Sequence, residues 1–384
     1  MKLRKDKWEN TKIGDVISEL RESSANPIKE GYEKYIGFEH IEPENLYLTQ
    51  FGLLSDGVTF KRTFKTNDIL FGKIRAYLKK VAIAPIDGIC SGDILVLRSK
   101  NEKKLSQELL PYYLTTESFL KRAVDSSIGT TLPRTKWQHL SKHEIPLPPL
   151  EEQKQIAALF QSLETAMEQV DGQEKNLLNL KNKLLKDLFS EKKQFGNHLK
   201  EKDFETVRFE KVATNISERV EPKKTELTVY VGLEHLDADN LKIERTGTPE
   251  DVIGTKLKIY KGDIIFGKRR AYLRKVAISH FDGIASAHSM ILRANEKHIE
   301  KEFLPYFMQS DAFMSRAVQI SEGSLSPTIK NKTLAVQEFI LPKKEKQKEL
   351  VSVFKQFDTT LQQLKNQKTT LKHLKQKLLN EILG

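Results

Sequence analysis

An internal repeat of about half the chain's length is the feature that most constrains this sequence. The segment DILFGKIRAYLKKVAI at residues 68–83 returns as DIIFGKRRAYLRKVAI at residues 263–278, with thirteen of sixteen positions identical. The segments at residues 35–46 and 110–124 return in the same way. The offset is 195 residues early in the repeat and 194 later. The 384-residue chain is therefore predicted to consist of two copies of one unit.

Each copy ends in a long segment with the spacing of a coiled-coil seam. The central segment spans residues 151–189, and the last forty residues repeat its frame 194 positions later. Polar residues interrupt both seams at equivalent places, Glu174 and Lys181 in the first and Lys368 and Lys375 in the second. The apolar seam positions are Ile156, Phe160, Leu163, Met167, Val170, Leu177, Leu184 and Leu188, and then Leu350, Phe354, Phe357, Leu361, Leu364, Leu371, Leu378 and Ile382. Two helices with the same seam and the same interruptions are predicted to pair with each other.

The charge of the two long segments supports this pairing. Residues 150–191 carry five Lys or Arg against eight Asp or Glu, whereas residues 343–384 carry ten against four. Opposite charge favours a mutual pair and opposes self-pairing of the basic helix. The whole chain has a net charge of +12 and a pI near 9.3. That excess favours a polyanionic partner, although a lysine-rich solvated surface would give the same value.

Length and composition bound the class of protein. The chain is long enough for two or three domains with their own cores. No apolar run approaches the roughly eighteen residues of a membrane span, and no apolar stretch follows the basic start MKLRKDKWEN, so no membrane partner and no signal peptide are expected. Cys90 is the only cysteine, which excludes an internal disulfide and a cysteine-based zinc site. The expected compartment is the cytoplasm.

The globular part of each copy has a mixed α and β pattern. Residues 13–20 and 209–216 open it with a short helix or a strand, residues 106–124 have helical spacing, and prolines at 146–149 lead into the long helix. Short apolar runs between Gly, Asp and Asn predict strands at Tyr35–Phe38, Ile69–Phe71, Val81–Ile83 and Ile94–Leu97. The predicted boundaries are a first globular domain at 1–149, a central helix at 150–191, a second globular domain at 192–342 and a C-terminal helix at 343–384.

Each copy contains a basic segment without acidic residues, and a tyrosine lies among its charges. Lys and Arg neutralise phosphates, Arg reads guanine edges, and Tyr binds phosphate or packs on sugar, so the segment between two strands favours contact with DNA. The alternative is a tight turn whose charges only solvate it. Because Arg269 stands where the first copy has Ile74, two base-reading loops would prefer different sequences. The candidate residues are Lys73, Arg75, Tyr77, Lys79 and Lys80, and then Lys268, Arg269, Arg270, Tyr272, Arg274 and Lys275.

A polar loop follows in each copy, SSIGTTLPRTK at 126–136 and SEGSLSPTIK at 321–330. Arg134 and Lys136 are further candidates for DNA contact in the first loop, where Thr328 and Lys330 are the counterparts. A flexible surface connection is the alternative interpretation. The Glu-His pairs in GFEH and GLEH lack a further ligand at metal spacing, which favours a structural or subunit-contact role over metal binding or acid–base chemistry.

Several catalytic signatures are missing from the sequence. It has no Gly-rich phosphate loop ending in GK[ST], no Asn/Asp-Pro-Pro-Tyr tetrad of an amino-methyltransferase and no nuclease-type acidic site. No catalytic or metal-ligating residue is therefore assigned. The pattern is typical of a protein that recognises a target and does not act on it chemically.

Taken together, these segments resemble the DNA-specificity (S) subunits of type I restriction–modification systems. The resemblance covers essentially the whole chain and is carried by the tandem arrangement, the GFEH and GLEH signatures, the GDIIFGK-type segments and the PLPPLEEQKQIA start of the central helix. It implies an α+β fold: two mixed α/β target-recognition domains separated by an antiparallel two-helix coiled coil, as a tandem pseudo-two-fold repeat. The second helix begins LPKKEKQKE where the first has LPPLEEQ, so the two ends differ in charge.

The resemblance also implies the partners. Each domain reads one half of a split site on double-stranded DNA, and the complex holds two methyltransferase subunits and, for cleavage, two restriction subunits. S-adenosylmethionine, ATP and Mg²⁺ are expected in those partners, with adenine as the methylated base, and no cofactor is expected in this chain. The alternative function is a DNA-binding scaffold or adaptor without methyltransferase partners.

Helix length predicts a metric role. A helix of some 39 residues spans roughly 58 Å at 1.5 Å per residue. DNA half-sites one to two turns apart lie roughly 34–70 Å from centre to centre. If the two helices pair antiparallel, the coiled coil is expected to set the length of the unread spacer.

Overall fold

The structure is a computed structural model that describes residues 3–190, 195 and 198–384. The chain folds into two compact units, Met1–Asp171 with Asn366–Gly384 and Gly172–Lys365. Each unit contains one globular copy of the repeat and a segment of both long helices. The predicted α+β class with tandem units and two long helices is confirmed. The central helix ends at Leu188, and the predicted boundary at 191 lies outside the described residues.

Short strands and short helices make up the first globular copy, and the long central helix follows it. Its strands are β1 (Glu9–Lys12), β2 (Ile17–Leu20), β3 (Lys34–Ile36), β4 (Gly52–Leu53), β5 (Arg62–Phe64), β6 (Ile69–Gly72), β7 (Val81–Ile83), β8 (Gly88–Cys90), β9 (Ile94–Ser99) and β10 (Glu144–Leu147). Its helices are α1 (Ile13–Val16), α2 (Leu110–Tyr113), α3 (Glu117–Asp125), α4 (Trp137–Leu140) and α5 (Leu150–Leu188).

The second copy repeats this order. Its strands are β11 (Phe204–Arg208), β12 (Ala213–Ile216), β13 (Arg219–Val220), β14 (Tyr230–Val231), β15 (Lys256–Ile259), β16 (Ile264–Gly267), β17 (Val276–Ile278), β18 (Gly283–Ala285), β19 (Ser289–Ala294) and β20 (Glu338–Pro342). Its helices are α6 (Phe209–Val212), α7 (Phe303–Gln309), α8 (Asp311–Gln319), α9 (Asn331–Ala335) and α10 (Lys344–Leu383).

Two four-stranded sheets form the frame of each unit. In the first unit the orders are β2-β9-β6-β7, all antiparallel, and β4-β3-β8-β5, in which β3 and β8 are parallel. The second unit has β12-β19-β16-β17 and β13-β15-β18-β14, with β14 and β18 parallel. The register of the central hairpin is identical in the two copies, since Phe71 pairs with Val81 and Phe266 with Val276. The strands predicted at 69–71, 81–83 and 94–97 are therefore confirmed.

Strand β6 is buried on both faces, which explains its continuous apolar run ILF. Ile69 and Phe71 join the core that also holds the helices, whereas Leu70 joins the core between the two sheets. Strand β16 repeats this arrangement with Ile264 and Phe266 on one side and Ile265 on the other. Because successive side chains of a strand point to opposite faces, each unit has three layers: helices, sheet and sheet.

The helical pattern predicted at 106–124 corresponds to more than one helix. The structure has two short helices there, α2 and α3, because Thr116 interrupts them and accepts a hydrogen bond from Phe119 N at 3.3 Å as the N-cap of α3. Ser310 caps α8 in the same way. Val124, which the helical pattern placed on the apolar face, is 42% exposed. The segments 13–20 and 209–216 were predicted to be a short helix or a strand. Each contains both, because the short helix at 13–16 or 209–212 is followed directly by a strand.

The two long helices pair antiparallel within each unit. In the first unit Asp171 forms an ion pair with Lys368, and Glu164 forms one with Lys375. The residue numbers increase along α5 while those of their partners decrease along α10, so the two helices are antiparallel. In the second unit Lys181 donates to Asp358 at 2.6 Å. The repeat relates two of these pairs, because Lys375 is the counterpart of Lys181 and Asp358 that of Glu164.

Two of the four predicted polar interruptions of the seam, Lys181 and Lys375, are thus buried lysines in ion pairs. The side chains of Lys181 and Glu164 are only 4% and 5% exposed. Tyr306 donates to the other oxygen of Asp358 at 2.7 Å, and burial raises the pKa of Tyr306 above its usual range. Several predicted seam positions are only partly buried, namely Leu177, Leu184, Phe357, Leu361, Leu371 and Leu378. Leu185 and Leu379 are buried in their place, because near their globular copies the helices pack against the domain as well as against each other.

A buried glutamine fixes the start of each long helix. Gln153 donates to Pro148 O at 2.8 Å and to Lys104 O at 2.7 Å, and accepts from Ser106 N. Gln347 donates to Pro342 O at 2.8 Å and accepts from Glu300 N at 2.8 Å. The Gln of the EEQKQ and KEKQKE segments therefore anchors each helix to its globular copy.

Candidate nucleic-acid interface

The basic segment of each copy is a strained turn between two paired strands. A single 3-10 turn at Ala76–Leu78 connects β6 to β7, and left-handed residues precede and follow it. Arg75 and Lys79 have φ of 47° and 51°, and Arg270 and Arg274 have φ of 57° and 54°. Such a conformation costs a side-chain-bearing residue on the order of 1–3 kcal/mol and is concentrated at functional sites. Its presence at the same four basic residues marks this turn as a candidate site.

The polar loop lies directly against this turn. Ile128 and Arg134 exchange two backbone hydrogen bonds of 3.0 Å, which close the loop into a small hairpin. Arg75 N then donates to Pro133 O at 2.8 Å, and Thr135 N donates to Lys73 O at 2.9 Å. The two candidate segments of the sequence therefore form one surface, which we call the first loop pair (residues 73–80 with 126–136).

The second unit builds the same surface. Glu322 and Thr328 close the loop, Arg270 N donates to Pro327 O at 2.7 Å, and Ile329 N donates to Lys268 O at 3.0 Å. We call residues 268–275 with 321–330 the second loop pair. Tyr77 and Tyr272 occupy equivalent positions on the two surfaces and are 56% and 53% exposed. Each surface thus presents an exposed aromatic ring among basic side chains.

Four of the candidate residues are occupied by contacts within the protein. Lys79 binds Glu44 at 2.9 Å, a hydrogen bond that lowers the pKa of that carboxyl. Lys80 donates to Phe38 O at 2.8 Å, with its ammonium 4.3 Å from the Phe38 ring. Their counterparts behave alike, since Arg274 binds Asp239 at 2.8 Å and Asp311 at 3.0 Å, and Lys275 donates to Leu233 O. These side chains hold the turn in place.

The other candidates lie on the surfaces themselves. Lys136 and Arg270 are exposed, and Arg75 is half-buried. Burial lowers the pKa of Lys73 and of Lys268, which occupy the same place in the two copies. Arg134 is held by Asp93 through Nε at 2.8 Å and Nη2 at 3.2 Å, and Arg269 Nη1 lies 3.2 Å from His288 Nε2. Lys330 binds Glu322 at 2.6 Å.

The Glu-His signatures have a local structural role. His40 Nδ1 accepts a hydrogen bond of 3.0 Å from Gly37 N, and His235 accepts the same bond from Gly232 N. Each histidine thereby fixes the 3-10 turn onto which Lys80 or Lys275 donates. Among residues 3–190, 195 and 198–384, no three His, Cys, Asp or Glu side chains are grouped so as to hold a metal ion. None of the described helices is long and apolar enough to cross a membrane.

Sequence reasoning did not single out Asp93 and His288. They are equivalent positions in the turn before β9 and β19, in the short segments SGDI and SAHS. The available signal was an acid in one copy and a histidine at the equivalent position of the other. Its meaning depends on the neighbours Arg134 and Arg269, which only the fold brings to this turn.

Tandem α+β units, each with a basic loop pair and with segments of two long paired helices, are the arrangement that the resemblance to DNA-specificity proteins implies. The family described as the type I restriction modification DNA specificity domain matches residues 5–180 and 201–373. The chain belongs to this family, and the resemblance inferred from the sequence is confirmed.

One known relative and two solved structures match over nearly the full length, and a second relative matches over about a third of the chain. The type I restriction enzyme MjaVIII specificity subunit of Methanocaldococcus jannaschii is 24% identical over 98% of this chain and 92% of its own. The EcoDI specificity subunit of Escherichia coli is 34% identical over 36% of this chain and 30% of its own. The S subunit structure from M. genitalium has a TM-score of 0.56 at 18% identity, covering 100% of this chain and 98% of its own. A chain solved in work on complex assembly and conformational transition of the type I R-M system has a TM-score of 0.62 at 20% identity, covering 99% and 98%. The two structures share this fold.

Proposed function

We propose that this chain is the non-catalytic recognition subunit of a type I restriction–modification complex, in which each loop pair reads one half of a split, asymmetric DNA site. The observation that carries this proposal is the duplication of one strained basic surface whose side chains differ at equivalent positions. The exposed Ile128 and Leu132 of the first loop pair, for example, correspond to Glu322 and Ser326 in the second. Identical scaffolds with different side chains read different base sequences.

The paired helices would set the spacer between the half-sites. The antiparallel ion pairs within each unit support a fixed register of the two helices there, and the side chains of the Glu164–Lys375 pair are only 5% and 10% exposed. Helices paired in a fixed register have a defined length, in contrast to a flexible linker, whose end-to-end distance fluctuates.

The outer face of the helices offers a docking surface for methyltransferase subunits. In the second unit Leu180 and Val353 are 48% and 46% exposed, beside the partly buried Leu177 and Phe357. In the first unit Leu374, the counterpart of Leu180, is 43% exposed. An exposed apolar stripe on paired helices suits a partner helix. The stripe in the second unit and the equivalent exposed Leu374 in the first would give docking positions for two methyltransferase subunits, with two restriction subunits joining the full complex.

S-adenosylmethionine, ATP and Mg²⁺ are proposed to reside in those partners. The described residues of this chain provide no carboxylate or histidine cluster that fits Mg²⁺. The chain's own contribution would be to bind DNA and to position the enzymes on it.

Replacing Leu180 or Leu374 by glutamate is expected to abolish co-purification of one methyltransferase subunit each, because a charge would be buried in an apolar contact. The matched control is Asn179→Glu, which adds the same charge at the neighbouring exposed position. Subunit stoichiometry by native mass spectrometry gives the readout. Retention of both subunits by L180E and by L374E would favour the scaffold function without methyltransferase partners.

The main test concerns the loop pairs. Arg75→Ala is expected to weaken binding of the first half-site only, and Arg270→Ala that of the second only, with the slope of log affinity against log salt falling by about one in each case. Binding would be measured on DNA with either half-site scrambled. Lys29→Ala, which removes an exposed charge outside the loop pairs, is the control. An equal loss at both half-sites, or at neither, would contradict the assignment of one half-site to each unit.

A further inference from the structure

One arginine lies at the centre of each loop pair, but it comes from the polar loop in the first unit and from the basic segment in the second. In the first unit Ile74 and Arg134 form an isolated β-bridge between the basic segment and the polar loop. The second unit has the same bridge between Arg269 and Thr328. Arg269 is the counterpart of Ile74, and Thr328 that of Arg134. In the first unit the arginine of the bridge belongs to the polar loop, and in the second unit it belongs to the basic segment. The same bridge thus contains one arginine in each unit.

The same turn holds both arginines. Asp93 accepts from Arg134 Nε at 2.8 Å and Nη2 at 3.2 Å. His288, its counterpart, is 3.2 Å from Arg269 Nη1, and because a guanidinium only donates, His288 Nε2 is the acceptor. Burial, together with the charges of Arg269 and Lys268, lowers the pKa of His288, which keeps the acceptor nitrogen available at neutral pH. Two unlike side chains at equivalent positions thus each hold a guanidinium, Asp93 through two hydrogen bonds and His288 through one.

Each fixed guanidinium keeps two donors in one plane. Arg134 is 44% exposed, and its Nη1 and the second hydrogen of Nη2 make no hydrogen bond within the described part of the chain. Likewise Nε and Nη2 of Arg269 have no partner among the described residues. A pair of parallel N–H donors matches O6 and N7 of guanine in the major groove. Prior orientation lowers the entropic cost of that contact.

Charge distinguishes a base contact from a phosphate contact at Arg134. The Asp93 carboxylate already neutralises this guanidinium and would repel a phosphate placed beside it. The edge of a guanine carries acceptors but no net charge, so the carboxylate imposes no comparable penalty there. Arg270 and Lys136 are exposed, and among the described residues neither forms an ion pair with a carboxylate. These two side chains are therefore better suited to bind phosphates.

We propose that Arg134 and Arg269 are the base-reading arginines of the two units and that each contacts a guanine in its own half-site. Asp93 and His288 act as positioning residues. This inference rests on the proposed function, since it requires a split DNA site. It predicts that both half-sites contain a G·C pair at the position facing the bridge, although the arginines come from different segments of the repeat.

The test is selection from random double-stranded DNA by the full chain, purified with the subunits that accompany it. The natural chain is expected to select a two-part sequence with an invariant guanine in each half. Arg134→Lys should lower the preference for that guanine about tenfold or more in the first half only, and Arg269→Lys in the second half only, because lysine keeps the charge but loses the planar fork. Arg245→Ala, which breaks an exposed arginine–aspartate pair outside the loop pairs, is the matched control and should leave both preferences unchanged.

Salt dependence provides the second readout. If these arginines read bases, the alanine variants should relax one base position while the salt slope stays constant. A uniform loss of affinity over all sequences, with a slope smaller by about one, would identify phosphate contacts and overturn the inference. Unchanged base preference in both lysine and alanine variants would overturn it as well. Selection of no two-part sequence by the natural chain would instead refute the proposed function, and this inference with it.

Discussion

Adding one heptad to both long helices, after Gly172 in α5 and after Asn366 in α10, is expected to lengthen the unread spacer by up to about three base pairs. Seven residues add roughly 10.5 Å of helix, and a base pair occupies about 3.4 Å of DNA. A heptad also preserves the seam. Gly172 and Asn366 are equivalent positions of the repeat, so each unit keeps its own helix segments and its ion pairs.

Mapping of methylated adenines in cells that carry the altered chain gives the readout. Both half-sites should be retained while only the distance between them changes. A heptad added to α5 alone is the control, and it is expected to abolish methylation because the two helices no longer match in length. An unchanged spacer in the doubly extended chain would show that the helices do not set the distance.

Replacing Lys375 by alanine is expected to lower the free energy of unfolding of the first unit by about 3–5 kcal/mol. The side chain of Glu164 is 5% exposed, so this change leaves a buried carboxylate without its ion-pair partner. Removing both charges avoids that penalty. Lys375→Met combined with Glu164→Leu is therefore expected to be close to the natural chain in stability, or above it.

Urea denaturation followed by helix content measures these changes. Lys377→Ala is the matched control, since Lys377 is 71% exposed and pairs with Glu381 along the same helix, a contact worth about 0.3–0.5 kcal/mol. A loss below about 1 kcal/mol for K375A would mean that solvent reaches Glu164 and that the pair is not effectively buried.

The sequence predicted the scaffold better than the surface. Strands β6 and β7 follow from short β-favouring runs, and the long helices follow from a seam that repeats over many turns, because both signals are local. The break at Thr116 was missed because a cap can interrupt apolar spacing without altering it. Lys181 and Lys375 were interpreted only as polar interruptions of the seam. Their roles in buried ion pairs were missed because the sequence pattern does not show which acidic residue of the other helix faces each lysine.

The candidate site was predicted in its parts but not in its assembly. The contact of Arg75 with Pro133 joins segments 58 positions apart in the numbering, and no local pattern predicts it. The same limit explains why Lys80 and Arg274 were grouped with the DNA-binding candidates, although their side chains bind Phe38 and Asp239. Whether any of the candidate residues binds DNA stays a prediction. The comparison of Asp93 with His288 shows that differences between copies are as informative as their identities.

The ion pair of Asp171 with Lys368 has a consequence for partner choice. In a symmetric dimer of two identical first halves, Lys181 of one chain would still meet Glu164 of the other, so the buried pairs would favour it. Asp171, however, would then face Glu174, which holds the place of Lys368 in the repeat. Two identical second halves would oppose Lys365 and Lys368 in the same way. In either homodimer, like charges would face each other at this position in the middle of the helices. This repulsion favours pairing of the first half with the second half over pairing of either half with its own copy.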